Sequence, residues 1–366
     1  MGLIMKFEIP TTIYQEVNAV KNHASELSAL GKKALIVTGK NSSKANGSLK
    51  DVIDALSDNK TEYVIYNKIE ENPSVEQIMV VANIGRTIGI DFVIGIGGGS
   101  PMDAAKAIAL MIKNTDSSEQ VLYQNIPLDA LPVAEVPTTC GTGSEVTPFA
   151  ILTRHDIHTK QSISHRIFPM LALVDPKYLK QAPASVITNT AIDTLGHLLE
   201  SYFNTKATDY TKMLCMCGMK EWAKIHDAIR GITPNEEACE KLMFASSLGG
   251  MAISHTSTAL PHGCSYYLTY EKNIPHGKAV GVFLPGYLAS LTKEYQPEVI
   301  QILKVLGFES MEIFCDFIRQ TIGTVELKEE EIRLITNQLL EIKEKLAAVP
   351  YTVTETDIFK ILTYLN

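Results

Sequence analysis

Four side chains in the second half of the sequence are of the types that hold a metal ion. Asp193 and His197 lie four residues apart in a helical pattern, so both project from one face. His262 and His276 follow downstream, separated by a Gly/Ser/Tyr stretch and Pro275, and each is followed by a glycine (Gly263, Gly277). One carboxylate oxygen and three imidazole nitrogens suit Fe2+ or Zn2+, with open coordination positions for water or a substrate oxygen. Each part alone has a plainer reading. An i,i+4 Asp/His pair serves structural hydrogen bonding equally well, and a lone His262 fits a satisfied core histidine. The metal reading rests on all four falling in one segment of the chain.

A second constellation lies in the first half. Gly97-Gly98-Gly99-Ser100 follows the apolar run 91–96 (DFVIGI) and precedes a helix expected over 101–113, with Pro101 at its first position. Glycines let a backbone approach a ligand closely. The helix N-terminus adds unpaired N–H groups and a positive dipole end. Together they describe a pyrophosphate cradle, although the spacing is not G-x-G-x-x-G. The loop 137–145 (PTTCGTGSE) combines hydroxyls and glycines suited to ribose and phosphate. After the strand pattern 34–38 come Gly39, Lys40, Asn41, Ser42, Ser43 and Lys44. No acid is placed there to repel a ribose 2′-phosphate, and two lysines and two serines are placed to bind one, which favours NADP(H) over NAD(H).

The elements that must position these groups divide the chain in two. Up to about residue 182, strand patterns (34–38, 62–66, 91–96, 133–136) alternate with helical ones (48–56, 74–88, 101–113). Such alternation predicts a parallel, doubly wound sheet. Beyond Pro183 helical patterns take over, over 184–203, 208–229, 234–254, 277–293, 309–322, 329–346 and 355–364. The expectation is an α/β dinucleotide-binding domain over 1–182 and an all-α metal-binding domain over 183–366, with a site in the cleft between them.

Composition narrows the function classes. Across 366 residues, 33 basic and 41 acidic side chains leave a net charge of −8, which argues against nucleic acid or anionic membrane as partner. The start MGLIMKFEIPTT has no signal-peptide core, and Lys6 breaks the myristoylation pattern that Gly2 would begin. No apolar run is long enough to span a membrane. Six cysteines without a framework spacing read as buried thiols, and Cys215 and Cys217 point to different faces of a helix. A cytoplasmic homodimer is the default. Of the other histidines, His155, His158 and His165 read as exposed, His23 and His226 as members of polar helix patterns, and His255 as structural.

The motifs GIGGGSPMDAAKAIA (95–109), VPTTCGTGSEVTPFAILT (136–153), LALVDP (171–176), AIDTLGHLLESY (191–202) and HGCSYYLTYEKNIPHGKAVGVFLP (262–285) resemble the iron-containing, group III, alcohol dehydrogenases. These are relatives of glycerol dehydrogenase and dehydroquinate synthase. The resemblance runs from about residue 5 to the C-terminus and extends to the 1,3-propanediol and butanol dehydrogenases. It implies a dehydroquinate synthase-like fold, with a Rossmann-like sheet followed by helices. It also implies hydride transfer between NAD(P)(H) and a short primary alcohol, diol or aldehyde. Asp193, His197, His262 and His276 would bind Fe2+ or Zn2+. Gly98, Gly99 and Ser100 would hold the pyrophosphate, and Thr138, Thr139 and Thr142 would contact the cofactor. Lys160 would reach the nicotinamide ribose, Asp103 would lie near the cofactor, and Phe149 would wall the substrate pocket. One departure is Tyr266, where many members carry a proton-relaying histidine; Tyr266, His255 or solvent through the ribose hydroxyl can serve instead. The rival is a dehydroquinate synthase-like lyase using NAD and metal. It calls for several basic pocket residues, and few basic residues occur between 184 and 280.

Overall fold

In the computed structural model, which describes residues 5–365, the apolar runs of the first half become parallel strands. The reading of Gly2 lies outside the described residues. The strands are β1 (Thr12–Gln15), β2 (Lys33–Gly39), β3 (Glu62–Ile69), β4 (Phe92–Gly97), β5 (Val133–Pro137), β6 (Ile151–Arg154), β7 (Thr159–Ser162) and β8 (Leu171–Val174). Six form one sheet in the order β1-β8-β5-β4-β2-β3, every neighbouring pair parallel. β6 and β7 form a separate antiparallel hairpin.

The sheet is covered on both faces, which is why its central strands are continuously apolar rather than alternating. On one face Leu35, Val37, Val93 and Val133 cluster with Ile78, Val81, Ile108 and Leu110 from the helices Val75–Ile88 and Gly99–Lys113. On the other, Ala34, Ile36, Ile94, Ile96 and Leu173 cluster with Leu49, Val52 and Leu56 of the helix Ser48–Asp58. Fully burying each such aliphatic side chain contributes about 1.5–3 kcal/mol.

Among the described residues all strands precede residue 175, and the elements that follow are helices. The α/β half and the helical half are therefore both present as the sequence implies. Contacts divide the chain into two units. One is Glu8–Pro183 with Asn235–Met243; the other is Ala184–Pro234 with the chain from Phe244 onward and the described residues up to Phe7. The excursion of Asn235–Met243, the segment in which the helix Glu236–Thr256 starts, has no counterpart in a single cut near 182.

Several elements differ from expectation. The helix after the glycine turn starts at Gly99, so Pro101 is its third residue, not its first. The stretch after His262 is itself a helix, Leu260–Glu271. The pattern 277–293 splits into His276–Gly281 and Leu284–Ser290, and 329–346 breaks at Ile342. The pattern 208–229 becomes Asp209–Trp222, a 3-10 turn and His226–Ile229. Among the described residues no helix is long and apolar enough to cross a membrane.

Candidate functional site

The chain runs from β2 outward to β3, then crosses back to β4 and continues through β5 to β8. In open parallel sheets such a reversal leaves a crevice at the carboxyl ends of the two strands, and ligands bind there. Those ends are Gly39 and Gly97, with Pro137 of β5 paired to Gly97.

At β4 the turn opens directly into the helix Gly99–Lys113, capped by Gly98 with no side-chain hydrogen bond. The first-turn N–H groups of Gly99 and Ser100 therefore have no intrahelical partner, and they stand at the positive end of the helix dipole. Pro101, at the third position, has no N–H to add. A Cβ on Gly99 would lie 2.6 Å from Thr142 Cγ2, so the loop after β5 packs onto the turn only because this residue has no side chain. Thr139 packs against Gly98 in the same manner, and the Thr138 N–H donates to Gly97 O at 2.8 Å. Thr138 is buried, while Thr139 and Thr142 are half-buried.

Lys160 is brought to this turn through a residue that sequence reasoning missed. Its ammonium donates to Asn72 Oδ1 at 2.8 Å, and the Asn72 N–H donates to Ser100 Oγ at 3.0 Å. Asn72 also accepts from the Thr153 hydroxyl on β6, so it ties the turn to the hairpin. Nothing in the local sequence EENP marks it.

Asp103 is engaged behind the turn. Its Oδ1 accepts from the Ser144 hydroxyl at 2.6 Å and its Oδ2 from the Ile151 N–H at 2.8 Å. Phe149 is half-buried, with the Arg166 guanidinium 5.5 Å from its ring centre. Beyond β2, Lys40, Ser42 and Lys44 are exposed. Ser43 is not available to a ligand, because it is buried and accepts from the Thr38 hydroxyl at 2.7 Å.

In the helical unit, Asp193 and His197 share the helix Ala184–Tyr202, His262 lies in Leu260–Glu271, and His276 starts His276–Gly281. Helix His276–Gly281 lies so close to the first of these that a Cβ on Gly277 would sit 1.7 Å from Asn189 O. That close approach brings His276 to Asp193. Three imidazole Nε2 atoms surround one carboxylate oxygen: His262 at 3.4 Å, His276 at 3.7 Å and His197 at 3.9 Å from Asp193 Oδ1. The ligand atoms of Asp193, His262 and His276 lie within 4.8 Å of one another.

Behind His262 stands Glu200, the other residue missed from sequence. It is fully buried, and its Oε2 accepts from His262 Nδ1. Its Oε1 accepts the N–H groups of Ala259 and His262 at 2.9 and 3.2 Å. Glu200 falls seven residues after Asp193 and three after His197, on the same helical face, and that spacing was a usable signal.

The arrangement fits a divalent cation. Asp193 Oδ1 and His262 Nε2 are buried and make no hydrogen bond, an expensive state for polar atoms unless an ion takes them. Burial opposes the Asp193 charge, yet the surrounding imidazoles hold its carboxyl well below the usual carboxylate range. Burial alone would lower His262, but Glu200 and Asp193 reverse this and hold it up at about 9. With Nδ1–H committed to Glu200, Nε2 is the nitrogen from which a metal would displace a proton.

The same logic predicts the effect of Glu200→Gln. An amide N–H facing Nδ1 favours the tautomer with the proton on Nε2, which blocks coordination. Metal affinity is expected to fall by roughly ten- to a hundredfold, the usual effect of losing a carboxylate behind a ligand histidine. Competition with a chromophoric chelator measures it, and wild-type affinity would remove Glu200 from the centre.

Tyr266 lies one helical turn beyond His262 on the same helix and is half-buried. His165 and His226 depart from expectation. His165 is buried, with Nε2 2.7 Å from Val121 O. His226 packs among Trp222, Phe308 and Phe317 rather than on a polar face. His255 stacks on Phe7 at 4.5 Å. All six cysteines are free; Cys217 and Cys315 are only half-buried.

Two family models match the chain. Iron-containing alcohol dehydrogenase matches residues 10–176, and the C-terminal model of the Fe-containing alcohol dehydrogenase family matches residues 187–364. The structure is similar to that of an iron-containing alcohol dehydrogenase from Thermotoga maritima, at 36% identity, 99% coverage of both chains and a TM-score of 0.91. The sequence is 31% identical to the long-chain primary alcohol dehydrogenase AdhA of Thermoanaerobacter ethanolicus, over 82% of this chain and 76% of that one. It is 27% identical to the NADPH-dependent butanol dehydrogenase of Clostridium saccharobutylicum, over 96% of this chain and 87% of the relative.

Proposed function

Because the chain belongs to the iron-containing alcohol dehydrogenase family and is an oxidoreductase acting on alcohols, we propose that it moves hydride between NADP(H) and a short primary alcohol, diol or aldehyde. The observation that carries the reading is the convergence of three imidazoles on the buried Asp193 Oδ1, which accepts no hydrogen bond. In this reading Asp193, His197, His262 and His276 hold Fe2+ or Zn2+. When bound, the ion supplies Lewis acidity toward the substrate oxygen, and the dinucleotide supplies the hydride carrier.

The chain's own residues bind and orient. Gly97, Gly98, Gly99 and Ser100 offer N–H groups to the pyrophosphate. Thr138, Thr139, Thr142 and Lys160 bind the rest of the cofactor, with Asp103 bracing the loop from behind. Phe149 walls the substrate pocket, and Tyr266 moves the alcohol proton. Residues 1–182 and 183–366 serve as the dinucleotide and metal domains. The enzyme works as a cytoplasmic homodimer, and its six free thiols accord with a reducing compartment.

The cofactor assignment rests on the exposed Lys40, Ser42 and Lys44 after Gly39, and the NADPH-dependent butanol dehydrogenase supports it. Gly39→Asp tests it. The site accepts a side chain, since a Cβ there meets nothing closer than Ile69 O at 3.7 Å. A carboxylate beside the 2′-phosphate is expected to shift the kcat/KM ratio toward NAD(H) by about tenfold or more, because like charges brought together cost several kcal/mol. An unchanged ratio would take the 2′-phosphate away from this loop.

The reaction itself is tested by following oxidation of NADPH and of NADH with butanal and with 3-hydroxypropanal. The protein is assayed as purified, after chelation, and after addition of Fe2+ or Zn2+. Metal-restored oxidation of NADPH is expected. No turnover in any combination, with the ion demonstrably bound, would sink the assignment.

A further inference from the structure

The turn that leads to His262 joins the helix ending at Thr256 to the one starting at Leu260. Ser257 within it has φ +65°, in the left-handed region that non-glycine residues avoid. Such a conformation persists only where its surroundings over-determine it. Here they do. The Thr256 hydroxyl donates to Ser201 Oγ at 2.9 Å, and the Ala259 N–H donates to Glu200.

One anchor comes from far along the chain. Lys345, in the short helix Lys343–Ala347, donates its ammonium to the Thr258 carbonyl at 3.2 Å and to the Thr258 hydroxyl. Lys345 is only 9% exposed. Its stem lies against Gly263, where an added Cβ would meet Lys345 Cγ at 3.4 Å, and its ammonium is 5.9 Å from the Tyr266 ring centre. An ammonium so buried is costly without a compensating charge. What holds it here is its pair of hydrogen bonds to Thr258, backbone and side chain together. Lys345 thus touches both the turn before His262 and the helix that carries it.

We infer that Lys345 is a positioning residue of the metal centre, fixing the turn before Leu260 and through it the placing of His262 Nε2 against Asp193 Oδ1. The inference rests on the reading of Asp193, His197, His262 and His276 as metal ligands.

The test uses the full chain, stripped of metal and titrated with Co2+, whose visible absorption reports its ligand geometry. Melting is recorded with and without Co2+. Lys345→Met is expected to weaken Co2+ binding roughly ten- to a hundredfold, to change the absorption band, and to shrink the melting-temperature rise that Co2+ produces. Lys345→Arg, which keeps a cationic donor, is expected to restore most of each. A lysine that merely stabilises the fold would lower both melting temperatures alike and leave affinity, band and Co2+-induced rise as in wild type; that result overturns the inference. If Lys345→Met does not fold, Lys345→Gln, which also drops the charge, is judged by the same two outcomes. A wild-type chain that binds no Co2+ overturns the metal reading itself, and this inference with it.

Discussion

Asp193→Ala is expected to abolish metal retention and to lower kcat/KM by about a thousandfold or more. The oxygen it removes is the one point from which three imidazole nitrogens stand at 3.4, 3.7 and 3.9 Å. Losing it removes the single anionic ligand of the set, and the carboxylate that remains, Glu200, lies behind His262 and not among the three Nε2 atoms. A Lewis-acid ion provides several kcal/mol toward the transition state, and each 1.36 kcal/mol is tenfold in rate, which sets the magnitude. His276→Ala should act in the same direction but less completely, because His276 is the least buried of the four and the carboxylate stays. The measurement is metal content by elemental analysis beside steady-state kinetics on the same preparation. Dinucleotide affinity, measured by calorimetry, is expected to change little, since the glycine turn belongs to the other unit. A variant with full turnover and no bound ion would remove Asp193 from the chemistry.

The parts of the fold that could be read in the sequence are those where one force dominates. The run 92–97 is buried on both faces, so it is apolar at every position and bounded by glycine. The strands β1 and β8 were not foreseen because each is four residues long, too short for a period to register. The helix Leu260–Glu271 was hidden for a different reason. It packs inward on more than one side, so His262, Gly263, Cys264 and Ser265 are all buried and no apolar stripe appears. Residue type marked Asp193, His197, His262 and His276 as candidates, because carboxylate and imidazole are the side chains that ligate Fe2+ or Zn2+. Type could not mark Glu200 or Lys106. An acid or a lysine within a helix is normally solvated, yet both side chains are fully buried here. Their burial depends on partners far away in sequence, Ala259 and His262 for one, Ser144 and Phe149 for the other.

Lys106 carries the second large effect. Its ammonium, fully buried beneath the glycine turn, donates to Ser144 O and Ser144 Oγ at 2.7 Å each and to Phe149 O at 3.0 Å. The carboxyl of Glu135 on β5 stands 3.7 Å away and is also fully buried. Lys106→Met keeps much of the volume but leaves two buried carbonyls without their donor. Each buried acceptor left unsatisfied costs about 1–3 kcal/mol. At 2–4 °C per kcal/mol for a domain of this size, the melting temperature should fall by roughly ten degrees. A fall of only a degree or two would mean that the loop 144–149 is held by other contacts. Glu135 adds a pH dependence with a definite sign. Burial raises its carboxyl well above 4.5, Lys106 only partly opposes this, and neither oxygen accepts a hydrogen bond. The folded chain therefore holds that proton more tightly than the unfolded one. This contribution to stability is complete below about pH 4.5 and is lost as pH rises toward the folded value. Glu135→Gln cannot titrate, so its melting temperature relative to wild type should climb as pH is raised from 4.5 through neutrality. A difference that stays flat would show that the carboxyl ionises as readily beside Lys106 as it does in water.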